Sequence, residues 1–129
     1  MRRNRIFASF VVVLALTVGV TACGSDSGGS SGYKEPKGPA GAQLTFEAKN
    51  FAFTPENATA PAGVIGITLK STSGGHDFVI EGLSGFKLTT PGSGDTDSGK
   101  VDLKKGKYTF YCSLPGHRAA GMQGTLTVT

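Results

Sequence analysis

The sequence predicts an all-β domain, an antiparallel sandwich or small barrel, and three observations carry that reading. Beyond residue 22 no stretch of useful length shows the 3.6-residue apolar period of a helix. Short runs alternate instead, as in 44–48, 65–69, 76–80 and 108–112. Clusters of Gly, Pro, Asn and Ser separate these runs. About seven short strands with turn signals between them fit a sandwich or barrel and little else.

The first segment is read as an address rather than as fold. Arg2, Arg3 and Arg5 precede an apolar run from Ile6 to Val20, broken only by Ser9, Thr17 and Gly19. At about fifteen residues the run is short for a spanning helix, which wants about 20. A basic start and a short apolar core make a secretory signal. The run ends Val20-Thr21-Ala22-Cys23, which resembles the lipobox of bacterial lipoproteins. That resemblance implies removal of residues 1–22 and lipid on Cys23. It places the chain outside the cytoplasm, anchored to a bacterial membrane at the cell surface or the periplasmic face.

Removing the signal changes what the charge means. The 129-residue chain carries 13 Lys+Arg against 9 Asp+Glu, a net +4. Three of those basic residues lie in 1–22 with no acid, so the balance falls to +1. No basic patch remains to hold a phosphate backbone, so nucleic acid is excluded as a partner. Residues 23–42 are expected to form a lipidated Cys followed by a flexible tether. Gly, Ser and Pro supply 12 of the 19 residues from 24 to 42. A segment with so little to bury does not fold by itself, and as a coil it would reach roughly 24 Å.

The domain is expected over residues 43–129, with a monomer as its state. Leu44, Phe46 and Ala48 alternate with Thr45 and Glu47, and 59–63 reads as a turn. Ile65, Ile67 and Leu69 fall on one face, opposite Gly66, Thr68 and Lys70. His76, Phe78 and Ile80 share a face, as do Tyr108, Phe110 and Cys112. Between them come Val101 and Leu103 and a turn at 104–107. Leu126 and Val128 close the chain. The stretch 82–98, rich in Gly, Ser and Thr, reads as a long loop or irregular crossing whose strands are not placed.

Four residues do not belong to a bland sandwich. His76, Cys112, His117 and Met122 are the soft and imidazole donors of the domain. A lone buried Cys is usually a small hydrophobe, a lone His a satisfied polar group and a lone Met core. Together they call for another explanation, because an unpaired thiol outside the cytoplasm needs protection from oxidation. Metal ligation supplies it. A His₂Cys set with a weak axial Met is the blue-copper electron-transfer arrangement. Zinc seldom uses a thioether. The Cys-x-x-Cys-His of c-type haem is absent. A Cys–His nucleophile pair would lack an evident orienting partner. Four residues separate Cys112 from His117, and four separate His117 from Met122. One loop can therefore offer three ligands, while His76 comes from a distant strand.

The run CSLPGHRAAGM, the upstream Gly75-His76 and the strand pattern resemble the cupredoxins, the plastocyanin/azurin-like blue copper proteins. The resemblance spans 43–129 and implies a Greek-key β-sandwich holding one type 1 copper ion. It implies His76, Cys112 and His117 as close ligands, Met122 as the weak axial one, and the Gly75 carbonyl on the opposite side. The family often has Asn directly after the first His; here that place is Asp77, expected to accept a hydrogen bond from Ser113. The resemblance makes His117 the electron port, ringed by Leu114, Pro115, Ala119 and Ala120, where redox partners would dock briefly. Arg118 stands beside this patch, either biasing partners or simply solvated. The function implied is single-electron transfer, not enzymatic turnover. Copper storage or delivery, and a structural lipoprotein domain with an incidental site, are the alternatives. A visible thiolate–copper band and reversible voltammetry separate the three.

Overall fold

A computed structural model describes residues 32–129. Residues 1–31 lie outside the described part, and with them the expected signal segment, Cys23 and the first part of the expected tether. Among the described residues, nine strands make two facing sheets. They are β1 (Ala42–Lys49), β2 (Ala52–Thr54), β3 (Asn57–Ala60), β4 (Gly63–Ser71), β5 (His76–Ile80), β6 (Lys87–Thr90), β7 (Thr96–Leu103), β8 (Gly106–Tyr111) and β9 (Gln123–Val128). One sheet has the order β2-β1-β4-β7 and the other β3-β9-β8-β5-β6. The chain changes sheet at β2–β3, β3–β4, β4–β5, β6–β7 and β7–β8, so the sandwich is sewn together by crossovers.

The sandwich is as expected, but it is not purely antiparallel. β1 runs parallel to β4, with Leu44 opposite Ile67 and Phe46 opposite Leu69. β3 runs parallel to β9, with Ala58 opposite Leu126. Alternation reports which face a residue takes, not the direction of the neighbouring strand, so these parallel pairs are invisible in the pattern. Nor is 59–63 wholly a turn: Thr59 and Ala60 belong to β3, and only Pro61 and Ala62 separate it from β4. Pro61 carries no N–H, so a break in the ladder suits it.

The core is aromatic. Phe46 of β1 packs on Phe78 of β5 and Phe110 of β8, with ring centroids 4.8 and 4.7 Å apart. Phe78 and Phe110 stack at 4.9 Å, and Phe53 stands edge-on to both at 5.5 Å. All but Phe53 are fully buried, and Phe53 nearly so. Such rings contribute large apolar area plus about 0.5–1.5 kcal/mol of geometry-specific attraction per pair. They clamp β5 beside β8, and the antiparallel pairing of Val79 with Tyr111 and Ile80 with Phe110 fixes the register between them.

The stretch 82–98 resolves into order. Phe86 and Leu88 are buried, β6 pairs with β5, and β7 pairs along β4 from Thr96 to Leu103. Gly99 leaves the room they need: a Cβ there would crowd Phe86 and Leu88 at 3.2 and 3.3 Å. The later half of the expected tether is also engaged. The Tyr33 ring stands edge-on to Phe86 at 5.3 Å, and its hydroxyl donates to the Lys100 carbonyl. Lys100 in turn donates to the Gly38 carbonyl and pairs with Glu35 at 3.8 Å. Composition alone made 33–41 free chain; one aromatic residue with a sheet to lie on overrides that.

Candidate metal centre

The site forms where the start of β5 meets the end of β8. Because β5 and β8 are antiparallel, His76 at the head of β5 comes beside the chain leaving β8 at Cys112. His76 is nearly buried and Cys112 completely so. The loop from Cys112 to Met122 folds back on itself through its own backbone. His117 N–H donates to the Leu114 carbonyl at 3.1 Å, closing a tight turn over Pro115 and Gly116. Gly116 has φ +81°, which suits the third position of a type II turn after Pro. Met122 N–H then donates to the His117 carbonyl, and Cys112 N–H to the Met122 carbonyl, both at 3.1 Å. The spacing of four residues on either side of His117 is thus the length of a closed, hydrogen-bonded loop.

The ligand-capable atoms of His76, Cys112 and His117 all lie within 4.8 Å of one another. The Cys112 Sγ is 3.5 Å from His117 Nδ1. His76 points its other nitrogen away: Nε2 lies 2.6 Å from the Ser73 carbonyl and donates to it. That contact assigns the proton to Nε2 and leaves a lone pair on Nδ1. His76 Nδ1 is buried with no hydrogen-bond partner. An orphaned buried acceptor costs about 1–3 kcal/mol, and a bound cation would repay it. Burial pushes the Cys112 thiol above its ordinary pKa, against backbone donors from Asp77 and Leu114 that stabilise the thiolate. A buried thiol facing two imidazole nitrogens becomes a thiolate when a metal replaces its proton. The donor set therefore fits a soft-to-borderline ion such as copper.

Asp77 is more deeply involved than its position suggests. Strand parity puts it on the outer face, opposite His76 and Phe78, yet it is fully buried. Its Oδ1 accepts from the Ser113 N–H and its Oδ2 from the Ser113 hydroxyl, each at 2.5 Å. Its own N–H donates to Cys112 Sγ at 3.4 Å. Lys87 Nζ pairs with Oδ2 at 2.8 Å. Burial raises the Asp77 carboxyl, but the hydrogen bonds from Lys87 and Ser113 outweigh it and hold the group below its usual pKa.

The remaining expected residues fall as follows. Met122 is fully buried beside Cys112. At Gly75 a side chain would meet the Pro91 carbonyl at 2.8 Å, so only glycine fits before His76. Leu114, Pro115, Ala119 and Ala120 lie in the loop around the partly exposed His117, with all but Leu114 exposed. Arg118 is occupied within the molecule: it stacks over Tyr111 at 4.0 Å, pairs with Glu81 at 3.2 Å and donates to Gln123. Three participants escaped the sequence reading. Ser73 and Lys87 carry no signal in the pattern. Phe51 does carry one in the structure: half exposed and at φ +64°, it sets its ring edge-on to His117 at 4.9 Å.

Comparison with known proteins places this geometry. Residues 40–129 match the copper binding proteins of the plastocyanin/azurin family. A plastocyanin of Nostoc punctiforme is 32% identical over 132 aligned positions, covering 96% of this chain and 93% of that protein. An azurin of Pseudomonas fluorescens biotype C is 51% identical over 41 positions, 29% of this chain and 31% of that one. The fold superposes on auracyanin B with a TM-score of 0.67 at 19% identity, over 74% of this chain and 94% of that chain. It superposes on the auracyanin of Roseiflexus castenholzii with a TM-score of 0.62 at 22% identity, over 70% and 99%. With the His76–Cys112–His117 cluster in place, the chain belongs to the plastocyanin/azurin family of copper binding proteins: it is a cupredoxin, and copper is its metal.

Proposed function

We propose that the protein carries single electrons outside the cytoplasm, tethered to a membrane through lipid on Cys23. Copper bound at the site supplies the one-electron Cu(II)/Cu(I) couple. The observation that carries this reading is the buried, unpartnered His76 Nδ1 held within 4.8 Å of the Cys112 and His117 donors. A site whose ligands are already gathered has little to rearrange between oxidation states, which favours fast exchange. In this reading His76, Cys112 and His117 would hold the copper ion, Met122 would add a weak thioether donor, and Gly75 would leave room beside His76. The burial of His76 and Cys112 disfavours storage, which needs a route for metal release. His117 is the ligand nearest solvent, and Leu114, Pro115, Ala119 and Ala120 give it a small apolar collar suited to weak, brief docking.

The test is spectroscopic. Cu(II) added to the purified protein is expected to give an intense visible thiolate-to-copper band, lost in Cys112→Ser. Voltammetry of the loaded protein should then show a reversible one-electron wave. A colourless wild type, or colour that survives Cys112→Ser, overturns the site. A coloured protein with an irreversible wave overturns the carrier role.

A further inference from the structure

We propose that Lys87 is a positioning residue for the copper site: its ammonium holds and neutralises the buried Asp77 carboxylate that ties the His76 strand to the Cys112 loop. The inference rests on the blue-copper reading and adds to it a charge pair that sets where the potential falls.

The geometry suits a carboxylate better than an amide. Three donors converge on the Asp77 side chain: Ser113 N–H, Ser113 O–H and the Lys87 ammonium. An amide offers one acceptor oxygen and turns two N–H donors toward the same space, whereas an ionised carboxylate accepts at both oxygens. Asp77 thus satisfies Ser113 twice with its side chain while its backbone N–H reaches the Cys112 sulfur. Through one residue, β5 grips both the first residue of the ligand loop and the one after it.

That grip brings a negative charge beside the metal. A carboxylate whose side chain is 1% exposed is costly to bury without a partner. It would also favour Cu(II) over Cu(I), because the oxidised ion carries the larger positive charge. Lys87 answers both problems. It sits on β6 opposite Val79, one diagonal step from Asp77 on the same outer face. Its stem crosses the strands to reach Oδ2 and, at 3.3 Å, the Ser113 hydroxyl. With its side chain 44% exposed, Lys87 keeps part of its hydration, so solvent tempers its effect on the metal without cancelling it.

A charge cycle tests this on the full-length, copper-loaded protein. Lys87→Gln should lower the reduction potential, by on the order of tenfold in the Cu(II)/Cu(I) ratio, ~59 mV for a one-electron couple. Asp77→Asn should raise it. The double variant should return close to wild type, and Lys87→Arg should leave the potential in place. Loosening of the loop alone would move both single variants the same way and would not cancel in the double. Two shifts of one sign, or an unchanged potential in Lys87→Gln, overturn the proposal. The same cycle on the metal-free protein reads thermal unfolding. There Lys87→Gln should lose more stability than the double variant, since it leaves the carboxylate buried and unpaired. Additive losses would overturn the pairing. A wild type without the visible band refutes the copper reading, while the metal-free cycle still decides the Asp77–Lys87 coupling.

Discussion

His76 shows how single contacts decide what a ligand can do. Its Nε2 proton is committed to the Ser73 carbonyl, so the lone pair that remains can only face the site. Cys112 has a comparable constraint, with Asp77 N–H donating to its sulfur and Met122 fastened beside it by the Cys112 N–H to Met122 carbonyl bond. That fastening gives the axial reading of Met122 a test. Leucine would offer no donor atom and only apolar surface, which disfavours the more highly charged Cu(II) relative to Cu(I). Met122→Leu conserves volume in a fully buried position and should cost less than about 1.5 kcal/mol in stability. The visible band should remain and the potential should rise on voltammetry. A lower potential would show that Met122 is not the axial ligand.

Elements, more than residues, explain what the sequence disclosed and what it hid. The gathering of Cys112 and His117, with Met122 closing the same loop, was legible because the length of that loop is written in the chain. His76 was readable because it begins an alternating run that ends in buried Phe78 and Ile80. The 82–98 stretch was not, because Phe86 and Leu88 are its only buried apolar residues and most of the rest is Gly, Ser and Thr. With β6 unplaced, Lys87 had no position relative to Asp77, and their ion pair was out of reach. Parallel pairing of β1 with β4 was equally hidden, since a side-chain period does not encode strand direction. The head of β5 also yields an element-scale prediction. A Cβ at Gly75 would press on the Pro91 backbone, which cannot swing aside as a flexible side chain would. Gly75→Ala should therefore lower stability by about 1–3 kcal/mol, read by denaturant unfolding of the metal-free protein. Copper affinity should fall with it, because His76 follows directly. At Gly41 the same Cβ would meet only the Val64 carbonyl at 3.8 Å, so Gly41→Ala should be near neutral. Equal effects at the two positions would refute the close-approach argument.

For the molecule as a whole, the proposed lipid anchor on Cys23 would set where the copper site can operate. The composition of the expected tether alone promises roughly 24 Å of mean reach over 19 residues. Tyr33 shortens that, because its ring lies on Phe86 and its hydroxyl on the Lys100 carbonyl, so the domain takes hold of the chain ten residues after Cys23. Ten residues extend to at most about 35 Å, and as a coil they average about half of that. A lipid on Cys23 would then keep the domain within about one domain diameter of the membrane surface, close enough to meet partners that are themselves in the membrane. The site contributes nothing to this anchoring, since all its residues fall in the sandwich and its loops. Anchoring and copper binding should therefore separate cleanly. Cys23→Ser in the full chain should move the protein from the membrane fraction to the soluble fraction while the visible band and the potential stay as in wild type. Continued sedimentation with membranes after that change would refute the lipid anchor, and a changed band would show that the tether reaches the copper site.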